Sequence, residues 1–423
     1  MADEKYADRA QARRAEQRID GSRCRDRLFA QYVATSLTDC SVANESRSIF
    51  GTSAPEPAPH RGRDFHRFRG TIQVRKEKHP MATLATQFKG ALTRIEPQVD
   101  AQNAVEAHAQ VTAALKADDW LTRLGISPVL IGSYGRDVSI KRVKDVDVFA
   151  RLTKATSALR PGKILDHVTD VLEEAFPGRV KRQHRSVKVE FPDFDLSVDV
   201  VIARPCVDHP GAHWQIPQKI EEDGCASWVE TNPVEMGVLT TAANKMFLLS
   251  PDNPSSGVYV HMVKLIRQIR RTWVDEQPGG YYFEVLTYHA FQNLQPDENT
   301  VADYLCVILR EIADRLPDYV DDGPADPTLD DRTITTKATK CQIESAAERI
   351  SEAAELAEAA RGEEDICASA AKWRELLGET QETTEPEDVF PLPDSCNADG
   401  SAKPARGVVK GASAVPAGRD RYA

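Results

Sequence analysis

Long apolar runs are missing from this chain. Nowhere do about 18 apolar residues follow one another, so no membrane-spanning helix and no membrane partner are expected. Paired cysteine spacing is missing too. Cys24, Cys40, Cys206, Cys225, Cys306, Cys341, Cys367 and Cys396 are scattered with no CxxC, which excludes a disulfide-stapled mini-protein and makes a reducing cytoplasm the expected setting. The N-terminal stretch MADEKYADRAQARRAEQR lacks the apolar segment of a secretory signal. Positive charge is in deficit: 54 Lys and Arg stand against 65 Asp and Glu, a net charge of -11. Duplex binding needs a basic footprint, so no long nucleic acid is an expected partner. A small anionic ligand held by a local basic patch is compatible with that balance.

What is present divides into four stretches. Residues 1–80 are rich in Arg, Ser, Pro and charge and have little periodicity, which reads as a disordered arm or an upstream extension, with Met81 the expected natural start. Leu84, Phe88, Leu92, Ile95, Val105, Val111, Leu115 and Leu121 recur at helical spacing, predicting one broken helix or two. Short strands follow at 128–131 and 146–150, a helix from Pro161 to Phe176, and strands at 180–191 and 194–203. Helices are predicted over 255–275, 281–294, 301–316 and within 333–377, and a disordered tail over 379–423. The expected fold class is α+β: a two-lobed molecule with a catalytic lobe at 81–250, built on a small mixed sheet with flanking helices, and a helical lobe at 251–378. The chemistry is expected in the cleft between them.

The strand at 128–131 runs into Gly132-Ser133. Glycine lets the backbone approach a phosphate closely, and serine adds a hydroxyl donor. Twelve residues after Ser133 comes Asp145-Val-Asp147. Alternate residues of a strand share a face, so Asp145 and Asp147 present two carboxylates together while Val146 and Val148 turn to the core. Like charges so placed repel unless a cation neutralises them. Oxygen ligands suit Mg²⁺, which takes one or two carboxylates plus substrate phosphates. A third carboxylate, Asp199, shares the polar face of the later strand with Asp195 and Ser197. Three carboxylates are what two-metal phosphoryl transfer needs.

The order Gly-Ser, spacer, DxD, distant Asp resembles the polymerase-β-type nucleotidyltransferase superfamily. Within it, GSYGRDVSIKRVKDVDVF is most similar to the bacterial CD-NTase group of antiphage signalling enzymes, relatives of the 2′-5′ oligoadenylate synthases and of cyclic GMP-AMP synthase. The resemblance covers about residues 83–378, including Trp214–Pro217, Trp228–Pro233, the helix around His261–Trp273 and the Ala-rich C-terminal helices. It implies a polymerase-β-like enzyme that joins NTPs, ATP foremost, into cyclic di- or trinucleotides or short oligoadenylates that activate a separate effector protein. It further implies that Ser133, with Gly132 and Arg136, contacts the triphosphate, that Asp145, Asp147 and Asp199 hold two Mg²⁺ (or Mn²⁺) ions, and that Asp199 helps activate the acceptor hydroxyl. The chain departs from the family where Arg136-Asp137-Val138 replaces Arg-Gly-Thr and where Gly280 replaces a serine. The other readings are a transferase that modifies an RNA 3′ end, a protein or a small molecule, and a non-catalytic nucleotide sensor.

Lys264, Arg267 and Arg271 fall on one stripe of the 255–275 helix, a candidate triphosphate-binding face on which Lys264 and Arg267 are the expected nucleotide contacts. Val258, Met262, Ile266, Ile269 and Trp273 should bury. Tyr134 reads as packing, and His184 and Arg185 as surface residues. Cys206, His209, His213 and Cys225 have the residue types of a zinc site, but the spacing is loose and Pro205 and Pro210 interrupt it. They read as a chance cluster in a loop.

Overall fold

The computed structural model describes residues 84–404 apart from 210, 212, 220–225, 251, 254–255, 296–299 and 382–384. The expectations for residues 1–80, for 405–423 and for Cys225 lie outside the described residues.

Three helices open this part, α1 (Ala85–Ile95), α2 (Val99–Ala117) and α3 (Asp119–Arg123), where the sequence predicted one broken helix or two. Asp118 makes the second break, its carboxylate accepting from the Leu121 backbone N–H at 2.7 Å as an N-cap. Next come β1 (Ile126–Ile131), a single helical turn α4 (Gly132–Gly135), β2 (Asp145–Leu152), α5 (Pro161–Ala175), β3 (Val180–Arg182), β4 (Val187–Phe191) and β5 (Leu196–Pro205). The predicted strand 180–191 is thus a hairpin, closed by the Gln183 N–H donating to Ser186 O at 2.9 Å. His184 and Arg185 sit exposed in its turn.

The sheet runs β1-β2-β5-β4-β3, and β2–β5 is its parallel pair. A further hairpin, β6 (Trp214–Lys219) with β7 (Ala226–Thr231), extends from the end of β5. The helices α2 and α5 cover one sheet face through Ala104, Ala107, Val111, Leu115, Ile164, Val168 and Leu172, packed on Val146, Val148, Val198 and Val200. Burying each of the larger of these side chains contributes roughly 1.5–3 kcal/mol. Because side chains alternate along a strand, that packing sends Asp145, Asp147 and Asp199 to the opposite face.

The helical part comprises α6 (Pro233–Met246), α7 (Val258–Trp273), α8 (Gly280–Gln292), α9 (Val301–Arg315), α10 (Lys340–Arg361) and α11 (Ile366–Leu377). Capping boxes begin α9 (Thr300 with Asp303) and α10 (Thr339 with Gln342). Val258, Met262, Ile266, Ile269 and Trp273 of α7 bury as predicted, in one core with Phe88 and Ile95 of α1. Val138 and Ile140 join the same core, so the loop after α4 is anchored in the helical part while α4 itself continues a strand of the sheet.

Two expectations are corrected. Residues 385–404 do not form a loose tail. Val389 and Phe390 are fully buried, and the Phe390 ring meets Phe88 edge-on at 5.0 Å between centroids. A polar segment becomes ordered here because two adjacent apolar side chains find a gap between α1 and α11. The scattered cysteines also contain a disulfide, Cys367–Cys396, which ties this strap to α11. Cys341 is disulfide-bonded as well, and Cys206 and Cys306 are free thiols. Among the described residues no helix is long and apolar enough to cross a membrane.

Candidate active site

β1 delivers the chain into Gly132 with φ +69°, a left-handed conformation that glycine adopts without strain. A Cβ at this position would stand 2.0 Å from Asp147 Oδ2, so any other residue would push that carboxylate aside. The register explains the closeness, since Ile131 lies opposite Asp147 in the β1–β2 ladder. Gly132→Ala combines a clash with a strained backbone costing about 1–3 kcal/mol. We expect a lower melting temperature and loss of divalent-cation stabilisation, and a variant that melts and responds to Mg²⁺ like the parent would contradict this placement.

Ser133 Oγ accepts from Ser139 Oγ at 3.2 Å, and the Val138 N–H donates to Ser133 O at 2.9 Å, so the loop after α4 folds back over the turn. Tyr134 packs as expected, its hydroxyl donating to Ala101 O at 3.1 Å.

The parallel pairing sets Asp147 directly beside Asp199 and Asp145 beside Ser197. Ser197 Oγ donates to Asp145 Oδ1 at 2.7 Å. Asp195, grouped with these residues from the sequence, instead precedes β5 in a left-handed conformation and pairs with Arg142 at 2.8 Å. Burial pushes the Asp147 carboxyl up to about 6, and the neighbouring Asp199 and Asp145 push the same way. Asp199 is also raised, chiefly by burial, with Lys188 opposing and Asp145 adding. Its Oδ1 is buried without a hydrogen-bond partner.

The sequence did not reveal Lys188. It faces Asp199 across the β4–β5 ladder, and its Nζ lies 3.2 Å from Asp145 Oδ1 and 4.0 Å from Asp199 Oδ2. Burial works against the ammonium, but Asp199 and Asp145 outweigh it and hold the amine above its usual range. Three clustered carboxylates, two of them with raised affinity for protons (Asp147 and Asp199), one orphaned oxygen and a lysine as the nearby cation form a donor set that fits a hard divalent cation held by oxygen.

The cationic candidates are all engaged within the protein, Arg136, Arg267 and Lys264 with carboxylates and Arg271 with a backbone carbonyl. Arg136 donates through Nε and Nη2 to the two oxygens of Glu284 at 2.7 and 2.9 Å, and both side chains are buried. Arg267 lies 3.7 Å from the same carboxylate. Lys264 is buried with its Nζ 2.9 Å from Glu96 Oε1 and 3.2 Å from Asp137 Oδ1. Arg271 donates to Lys141 O at 2.7 Å. The α7 stripe is therefore not an open cationic face. It clamps the loop after α4 to the helical part, with Glu284 of α8 as a further member. Gly280 has a local reason as well: a Cβ there would come within 3.1 Å of the Arg267 guanidinium.

Residues 81–244 match the family model of the Second Messenger Oligonucleotide or Dinucleotide Synthetase domain. Over 311 residues, 70% of this chain and 84% of the relative, the sequence is 26% identical to a cyclic AMP-AMP-AMP synthase of an Acinetobacter strain. The fold is similar to that of E. coli MS115-1 CdnC solved with ATP, with a TM-score of 0.53 and 18% identity over 70% of this chain and 97% of that one. It is equally similar to the Bradyrhizobium diazoefficiens CD-NTase CdnG in complex with GTP, at 0.53 and 19% over 70% and 95%.

Proposed function

We propose that this chain, a nucleotidyltransferase of the CD-NTase group with a second-messenger synthetase domain over residues 81–244, joins ATP units into a cyclic or short linear oligoadenylate signal. The observation that carries the reading is the pairing of Asp147 with Asp199 across β2 and β5, with Asp145 on the same face and a buried Asp199 oxygen left without a hydrogen-bond partner. Asp145, Asp147 and Asp199 would hold two Mg²⁺ or Mn²⁺ ions. Such ions, when bound, neutralise the triphosphate and lower the pKa of the attacking hydroxyl.

The chain's own residues do the positioning. Gly132 lets the turn lie close against Asp147, so that its backbone can approach the triphosphate, and Ser133 Oγ, which accepts from Ser139, donates to a phosphate oxygen. Asp199 orients the acceptor hydroxyl for in-line attack. Lys264 meets the triphosphate by exchanging partners, since its acidic neighbours Glu96 and Asp137 are 38% and 83% exposed. Arg136 and Arg267 hold the turn in place through Glu284. The name of the Acinetobacter relative and the ATP and GTP in the two solved structures support NTP substrates. The proposed setting is the cytoplasm, where NTPs are plentiful, and the product would act on a separate effector protein in antiphage defence.

Incubation with each labelled NTP and Mg²⁺ or Mn²⁺, followed by chromatography, tests this. Small phosphodiester-linked products are expected from ATP alone. Labelled RNA or protein without small products would assign the chain to macromolecule modification, and no NTP turnover of any kind would leave only a nucleotide sensor.

A further inference from the structure

The loop that follows β5 brings Cys206, His209 and His213 back onto Glu230 of β7. Cys206 directly follows the last residue of β5, and its backbone N–H donates to His213 O at 3.0 Å, closing the loop. The Cys206 thiol lies 3.5 Å from Glu230 Oε1, His209 Nδ1 lies 3.1 Å from it, and His213 Nδ1 lies 2.6 Å from it. One donor atom each from Cys206, His209 and Glu230 falls within 4.8 Å of the others. The carboxylate's other oxygen takes Arg332 at 3.1 Å.

As a hydrogen-bond network this arrangement is over-subscribed. A carboxylate offers about four lone-pair sites across two oxygens, and here three donors converge on one of them. A cation bonded to Oε1, the thiolate and an imidazole removes the excess, because Cys206 and His209 then turn electron pairs rather than protons inward. Zinc bonds of about 2.0–2.3 Å put tetrahedral neighbours roughly 3.2–3.6 Å apart. The Cys206–Glu230 and His209–Glu230 separations are already close to that spacing. At 2.6 Å His213 is too near for a neighbouring ligand, and its N–H instead steadies the carboxylate from outside, as outer partners of metal ligands do.

We propose that Cys206, His209 and Glu230 form a zinc site, with His213 and Arg332 holding Glu230 in place. The mixed thiolate, imidazole and carboxylate set selects a borderline-soft ion over Mg²⁺. Cys206 lies seven residues beyond Asp199 on the same run of chain, about 20 Å away in an extended strand, so this metal is not part of the Asp145-Asp147-Asp199 centre. It joins the end of β5 to β7, and through Arg332 it braces the segment leading into α10. The imidazole and carboxylate alone make a poor anchor, and the sequence signal was obscured because Glu230 comes from a strand beyond both histidines.

Full-length protein, exchanged free of loosely bound metal, should retain one equivalent of zinc by elemental analysis. Replacing it with Co²⁺ should produce a thiolate-to-cobalt charge-transfer band, which the all-carboxylate centre cannot give. Cys206→Ser should abolish the band. His209→Ala, at an exposed position that leaves the fold intact, should weaken zinc binding roughly tenfold or more, a loss of the size seen for perturbed metal shells. Cys306→Ser, at the other free thiol, and Asp145→Asn should leave both zinc and band in place. Absence of stoichiometric zinc, a cobalt band that survives Cys206→Ser, or unchanged affinity in His209→Ala would each overturn the assignment.

Discussion

Asp147→Asn protein should consume no measurable NTP and yet melt at a higher temperature than the parent in metal-free buffer near neutral pH. The loss of turnover follows from removing a carboxylate between Gly132 and Asp199. Divalent-ion stabilisation of transferring phosphates is worth several kcal/mol, so a fall of at least about a thousandfold is expected. The gain in stability follows from the raised pKa. In the folded chain Asp147 titrates near 6, against about 3.9 in an unfolded chain. The folded state therefore binds this proton more tightly. Its contribution is fully present below about pH 4 and is lost as pH rises through about 6, a swing on the order of 3 kcal/mol. Asparagine mimics the neutral form and escapes the loss. The gap between variant and parent should open between pH 4 and 7, and Mg²⁺ should narrow it by stabilising only the parent. Melting curves with and without Mg²⁺ across that range test the account. Parallel pH dependences for the two proteins would show that Asp147 is not held under electrostatic pressure.

Glu284→Ala should be among the most destabilising single changes in the chain. Its carboxylate is fully buried between Arg136 and Arg267, and removing it strands two guanidinium groups. Breaking a buried pair from one side costs about 3–5 kcal/mol, whereas replacing the whole group with apolar side chains is often neutral or stabilising. The triple change Arg136→Met, Arg267→Met, Glu284→Leu should therefore recover most of the denaturant midpoint that Glu284→Ala loses. Its turnover should stay depressed, because the α4 turn is no longer fixed to α8. A stable triple variant with parental turnover would show that the ion pairs only support the fold. A Glu284→Ala midpoint near the parent's would show that solvent reaches the carboxylate.

The parts of the site written locally were legible. Gly132-Ser133 lies at a strand end, and the alternation in Asp145-Val146-Asp147 places both carboxylates on one face wherever the strand goes. Asp199 was found by the same alternation. What sequence could not supply was adjacency. That β2 and β5 are parallel neighbours, with Asp147 against Asp199, depends on the sheet order. Lys188 was hidden because the run 180–191 read as one strand, which concealed the hairpin that turns this amine toward the acids. Arg136 and Glu284 are 148 residues apart, so a cation beside a phosphate motif read as a phosphate ligand when its partner is a buried carboxylate. Helix spacing identified the cationic stripe of α7, but periodicity alone does not distinguish solvent on a polar face from acidic residues of another segment.

The strap formed by residues 385–404 bears on how this protein can be shortened. Judged by helices alone, a self-sufficient piece would stop after α11. Cutting there would strip Phe390 from an aromatic cluster in which Phe88 and Trp373 supply the other members, and would leave Cys367 without Cys396. A shortened protein ending near residue 378 would carry a freshly opened greasy groove and an unpaired thiol on one surface, a combination that favours aggregation and mixed disulfides. The minimal recombinant form should keep the chain through residue 404.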